Sequence, residues 1–256
     1  MSALGRASLV VGMSLLATAC GRKGPLIYPD MLVPAAPAAV TAQQSGPAVK
    51  LRFALPDKDR AGRPVKGVAG VKISRRTAEA DQRDVCRACK DDYRPFLTLY
   101  LDHMPVATQR FGNRVVLIDS DVSAGYSYSY SIVPFTADGV DGASSPTADV
   151  RVTAPLSAPV LKSEPYPTEV RLHFSWQMQV SGRLLGYNLY RWPFATVRSF
   201  EPLNREPLMG NEYIDSGLER GVRYRYTARA VVVLESGGVA ESAESQEVEG
   251  MLKDDE

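Results

Sequence analysis

The sequence predicts an all-β protein: two β-sandwiches in tandem, preceded by a signal peptide and a Pro/Ala-rich linker. Three observations carry this. Val, Tyr and Thr recur in short runs that alternate apolar with polar and are separated by Gly, Pro and Asp, the pattern of half-buried strands. No long segment has the 3.6-residue period of an amphipathic helix. The chain also repeats itself in order, and its 256 residues exceed what one sandwich of about 100 residues needs.

Residues 1–19 have the three parts of a secretory signal: Arg6 for the charged region, an apolar run from Ala7 to Leu16, and small residues Ala17, Thr18 and Ala19 before Cys20. The run is shorter than the roughly 20 residues a membrane-spanning helix requires. Ala17-Thr18-Ala19-Cys20 resembles the bacterial lipobox, although Ala17 stands where that family prefers Leu. The resemblance implies that Cys20 is lipidated and becomes the first residue of a membrane-anchored protein. Acyl chains at about 0.8 kcal/mol per buried methylene would hold it there almost permanently. Gly21, in place of Asp, is similar to the outer-membrane sorting pattern of enterobacterial lipoproteins.

Residues 20–34 form the anchor segment and linker. Cys20, Gly21, Lys23, Gly24, Pro25, Leu26 and Pro29 resemble the start of the small LptM-type lipoproteins, with that family's aromatic shifted to Tyr28. The resemblance, confined to these ten residues, implies association with the outer-membrane translocon for lipopolysaccharide and help with its assembly. A membrane-proximal spacer accounts for the same residues, since a Gly-Pro pair and a lone Lys suit one. Pro29, Pro34, Pro37 and Pro47, with Ala between them, predict an extended, semi-rigid stalk from Tyr28 to Pro47.

The first sandwich is expected over 35–153 and the second over 157–250. Val49-Lys50-Leu51-Arg52-Phe53-Ala54-Leu55 aligns with Val170-Arg171-Leu172-His173-Phe174-Ser175-Trp176. Gly70-Val71-Lys72-Ile73-Ser74-Arg75 aligns with Gly186-Tyr187-Asn188-Leu189-Tyr190-Arg191. The run from Ile118 to Tyr130 aligns without gaps on the run from Ile214 to Tyr226. These landmarks resemble the fibronectin type III domain, twice over. The resemblance implies that Leu55 and Trp176 belong to strand B, and that Tyr187 with Leu189, or Val71 with Ile73, mark strand C. It also implies tyrosine corners at Tyr128 and Tyr224, each following Val122 or Leu218 at the same spacing. Gly125 and Gly221 would supply the turn before strand F. A short stiff link is expected around Thr153 to Pro159, and a charged, frayed tail over 251–256.

Arg75 and Arg191 lie further apart than Ile118 and Ile214, so the first repeat carries an insertion between strands C and E. It contains Cys86-Arg87-Ala88-Cys89. With Cys20 lipidated in an oxidising compartment, a local Cys86–Cys89 disulfide is the leading reading. A thiol–disulfide exchange pair is the alternative, with Arg87 and Lys90 favouring the thiolate, although no βαβ pattern follows the motif.

Charge excludes one partner class: 30 basic residues nearly cancel 29 acidic ones, and no basic field for nucleic acid exists. Two histidines, His103 and His173, fall in different repeats and suggest neither a catalytic triad nor a metal site. No enzyme activity, cofactor, metal or small-molecule substrate is implied. Arg223-Tyr224-Arg225-Tyr226 presents alternate arginines that could bind an acidic partner, although the alternation favours a solvated strand face. The expected function is therefore binding: a lipid-anchored outer-membrane protein that holds an envelope protein or polymer. The expanded loop from Cys86 to Phe96 is the expected contact.

Overall fold

The structure is a computed structural model; it describes Leu26 and residues 28–65, 67–80, 92–177 and 181–254. Eight strands make the first sandwich: β1 (Ala38–Ser45), β2 (Ala48–Ala54), β3 (Val68–Glu79), β4 (Arg94–Tyr100), β5 (Thr108–Phe111), β6 (Arg114–Asp119), β7 (Tyr126–Thr136) and β8 (Ala148–Arg151). Seven make the second: β9 (Val160–Pro165), β10 (Val170–Ser175), β11 (Gly182–Pro193), β12 (Glu212–Asp215), β13 (Tyr224–Leu234), β14 (Val239–Glu241) and β15 (Val248–Gly250).

Period-two alternation makes these strands. In β10, Val170, Leu172 and Phe174 are buried while Arg171 and His173 are half-exposed, so one face enters a core and the other meets water. In the first sandwich β1-β2-β6-β5 faces β4-β3-β7-β8; in the second β9-β10-β12 faces β11 and β13, with β14 and β15 on β13. This is the strand order of the fibronectin type III sandwich. Each has its own core, the first around Leu51, Phe53, Ile73 and Tyr130 and the second around Leu172, Phe174, Leu189 and Tyr226. Full burial of such side chains contributes about 1.5–3 kcal/mol each.

Several details differ from expectation. Residues 28–47 are not a stalk, because Ala38–Ser45 is itself a strand, hydrogen-bonded to β2. Strand B stops one residue early in each repeat: Leu55 and Trp176 follow β2 and β10 and still pack on the two cores. The tail is tied down in part, since Leu252 is buried and the Lys253 N–H donates to the Tyr166 carbonyl at 3.1 Å. The C–E insertion contributes β4, an edge strand paired with β3. Its counterpart in the second sandwich shrinks to a single bridge between Tyr187 and Leu208.

The largest departure is that the two sandwiches share a sheet. β1 runs parallel to β14, with Gln44 opposite Ala240 and Ser45 opposite Glu241. One continuous sheet results, in the order β11-β13-β14-β1-β2-β6-β5. Each of the two joined strands would otherwise be an open edge with unpaired backbone groups.

Candidate functional site

Of the residues singled out in the anchor motif, Cys20, Gly21, Lys23, Gly24 and Pro25 lie outside the described residues, as do Cys86 and Cys89. Leu26 and Tyr28 are 79% and 60% exposed. Pro29 opens a single 3-10 turn, Pro29–Met31, suited to proline because the first N–H of a turn has no partner to lose. The chain behind it is laid along the end of the first sandwich. Ala61 N–H donates to the Met31 carbonyl at 3.1 Å, Arg60 N–H to Val33 at 3.1 Å and Ala35 N–H to Lys58 at 2.9 Å. On the other side Ala143 N–H donates to Pro34 at 2.9 Å. The segment therefore meets the sandwich within a few residues of Leu26.

Tyr128 and Tyr224 turn back as their positions suggest. Each hydroxyl accepts a backbone N–H five residues upstream, from Ser123 at 2.8 Å and from Glu219 at 3.3 Å. Gly125 and Gly221 precede strand F with φ of 89° and 76°. Beside each corner lies a polar cluster that sequence reasoning did not pick out. Asp119 accepts from Arg75 at 2.8 Å and from the Tyr130 hydroxyl at 2.7 Å; Asp215 accepts from Arg191 at 2.8 Å and from Tyr226 at 2.9 Å. Arg75 also lies over the Tyr128 ring at 5.4 Å, and Arg191 over Tyr224 at 5.3 Å. Burial, then the Asp119 or Asp215 carboxylate, pushes both buried tyrosine hydroxyls far above their ordinary pKa. The signal was present: all three residue types are identical at aligned positions of the two repeats.

The most unusual chemistry lies where the sandwiches meet. Lys50 occupies an outward position on β2, between core residues Val49 and Leu51, yet it is 3% exposed. The second sandwich covers it. Its ammonium donates to Glu241 at 2.7 Å and to the Tyr190 hydroxyl oxygen at 2.5 Å. Glu241, on β14, also accepts from Ser45 at 2.5 Å, from Asn188 at 2.6 Å and from the Tyr190 hydroxyl at 2.8 Å. Burial tends to raise the Glu241 pKa, but the Lys50 charge and these donors outweigh it and hold the carboxyl below its usual range. Burial lowers the Lys50 amine against the pull of Glu241. Lys50 and Glu241 compensate each other in this buried pair, as low local polarity demands.

Two amides close the junction on either side. Gln44 accepts the Thr153 N–H at 3.0 Å and donates to the Thr153 carbonyl at 2.9 Å. Gln109 accepts from the Phe200 N–H at 2.7 Å and donates to the Arg198 carbonyl at 2.5 Å. The expected link is packed into this junction as well: Leu156 is buried and its carbonyl accepts the Ala243 N–H at 2.8 Å. The groups here hold the domains together.

Elsewhere, His103 is exposed beside Asp102, whereas half-exposed His173 points toward Glu164 in the other sandwich. Among the described residues, no group of three or more His, Cys, Asp or Glu could hold a metal ion. Arg223 and Arg225 lie over the Phe194 ring, at 5.3 and 3.8 Å, and pair with Glu249 and Glu247. Their charge is already answered within the fold.

No family model matches the sequence, and no curated protein matches it. Among solved structures, the FN1–FN3 domains of chicken CNTN1 are similar at 14% identity, over 87% of this chain and 68% of that one, with a TM-score of 0.33. The fold assignment rests on strand order and on the two corners, not on that likeness.

Proposed function

We propose that the protein is a lipid-anchored, non-catalytic binding or scaffold protein of the outer membrane, which presents two fused sandwiches to an envelope protein or polymer. One observation carries the reading: the Lys50–Glu241 junction and the shared sheet join the sandwiches into one unit. A unit with fixed domain geometry binds without first losing the freedom of a flexible linker. The anchor on Cys20 sets its place. The loop of the first sandwich that leads into β4 supplies contact, together with the open edge of β4 itself.

Two comparisons test this. Cys20→Ser should move the protein from the membrane to the soluble fraction. A variant lacking residues 82–90 should keep the melting temperature of the parent and lose its cross-linked partners in intact cells. An unchanged cross-linking profile would overturn the contact assignment.

A second reading is favoured by the exposure of Leu26 and Tyr28. In it, residues 20–29 assist assembly of the lipopolysaccharide translocon, and the sandwiches serve as a platform. Replacing Lys23, Gly24 and Pro25 while keeping Cys20 separates the two, because only the accessory role loses translocon association. Thiol–disulfide exchange at Cys86 and Cys89 is a third role, and mass spectrometry of alkylated protein tests it. A pair that resists mild reductant is structural.

A further inference from the structure

Beside the Lys50–Glu241 pair a cavity of about 430 Å³ opens between the sandwiches, within the range of small-molecule sites. Both domains build it. Val106, Ala107 and Ile118 come from the first sandwich and Phe200 from the second. Its charged lining has one sign. Lys50, Arg198 and Arg229 reach it, and among the described residues no carboxylate does. The acids that pair with these cations, Glu241 and Glu244, do not line the cavity. Three cations against two carboxylates leave one positive charge in excess. Burial, followed by the like charge of Arg229, lowers the Arg198 guanidinium against the opposing pull of Tyr190 and Glu247.

We propose that this interdomain cavity binds a small amphiphilic monoanion: a medium-length acyl chain carrying one carboxylate. The chain would lie against Val106, Ile118 and Phe200, removing their apolar surface from water. The carboxylate would face Arg198 and Arg229, where a planar guanidinium offers paired N–H donors. The opposite charge is disfavoured, because a cationic amphiphile meets only cations in a partly dry site. Polysaccharide is disfavoured too, since apolar walls leave its hydroxyls without partners. This site is independent of the contact assigned to β4 and its loop. A ligand that touches both sandwiches also stabilises their junction by mass action.

The test is a calorimetric titration of decanoate into the full chain carrying Cys20→Ser, so that no acyl anchor competes. Saturable binding of one equivalent is expected, with decyltrimethylammonium at least about tenfold weaker. Val106 is 97% exposed, so Val106→Asp places a negative charge at the rim without threatening the fold. Ala107→Trp fills the cavity from another exposed position. Each variant should weaken decanoate at least about fivefold with an unchanged melting temperature. No saturation, several equivalents bound, equal affinity for the two amphiphiles, or undiminished binding in either variant would overturn the proposal.

Discussion

Lys50 and Glu241 belong to different sandwiches and meet at 2.7 Å, with 3% and 0% of their side chains exposed. Neither charge has water to fall back on. The pair therefore acts as a condition on docking: either both groups are present, or an uncompensated charge is buried.

That condition sets the first prediction. Glu241→Ala leaves the Lys50 ammonium with only the Tyr190 oxygen, and removal of one partner from a buried pair costs about 3–5 kcal/mol. Lys50→Met should cost less, because Glu241 keeps its bonds from Ser45, Asn188 and Tyr190. Urea denaturation measures both. A Glu241→Ala loss below about 1 kcal/mol, the size of one ordinary hydrogen bond, would show that the junction is not held this way.

Acid should open the same junction. The folded pKa of Glu241 lies below its ordinary value of 4.5, because Lys50 and its donors outweigh burial. The undocked or unfolded state then binds the proton more readily, so stability rises with pH in this window. The contribution is complete above pH 4.5 and is lost as pH falls from there toward the lower folded value. Melting temperatures taken from neutral pH downward should fall more steeply for the parent than for Glu241→Gln. Parallel curves would rule out Glu241 as the group responsible.

The corner hydroxyls give a graded comparison. Tyr128→Phe strips the acceptor from Ser123 N–H at 2.8 Å, whereas Tyr224→Phe removes a longer bond of 3.3 Å to Glu219 N–H. A typical intramolecular hydrogen bond contributes about 1 kcal/mol net. The first substitution should cost about that much and the second less, read from the urea midpoint of each. The reverse order would mean that the corner bonds do not set the cost.

Much of the fold was legible because β-strands write their burial into alternate residues. Val170, Leu172 and Phe174 are buried as their spacing demands, and the aligned repeats placed Arg75 with Arg191, Asp119 with Asp215 and Tyr130 with Tyr226. What pattern could not supply was contact between distant strands. In Val49-Lys50-Leu51 the lysine reads as solvent-facing, and only the second sandwich, arriving from residues 190 and 241, buries it. The same holds for the two ends of the chain. Prolines between 29 and 37 suit an extended segment whether it stands free or lies on loops, and local sequence does not distinguish the two. Leu252 in a charged tail is one apolar residue with no period to reveal its docking.

The aligned glycines at the start of strand C make the last prediction. Gly70 and Gly186 occupy equivalent positions, and each faces the carbonyl of the segment beside it. A Cβ at Gly70 would stand 2.2 Å from the Leu99 oxygen; at Gly186 it would stand 2.4 Å from the Leu208 oxygen. Neither neighbour is a flexible side chain that can rotate away. In the first sandwich the obstructed carbonyl belongs to β4, which six paired residues hold against β3. In the second it belongs to the single Tyr187–Leu208 bridge. Gly186 adds a φ of 142°, a conformation that side-chain-bearing residues rarely adopt. Overpacking of this kind costs about 1–3 kcal/mol, and both alanine substitutions should fall in that range or above it. They should differ in what gives way. Gly70→Ala must displace a whole ladder, so its cost should appear as lost global stability in urea. Gly186→Ala can shed one bridge, so amide exchange should quicken at Tyr187 and Leu208 while the rest of β11 stays protected. Equal, whole-domain destabilisation in both variants would show that the bridge at Leu208 is as firmly built as β4.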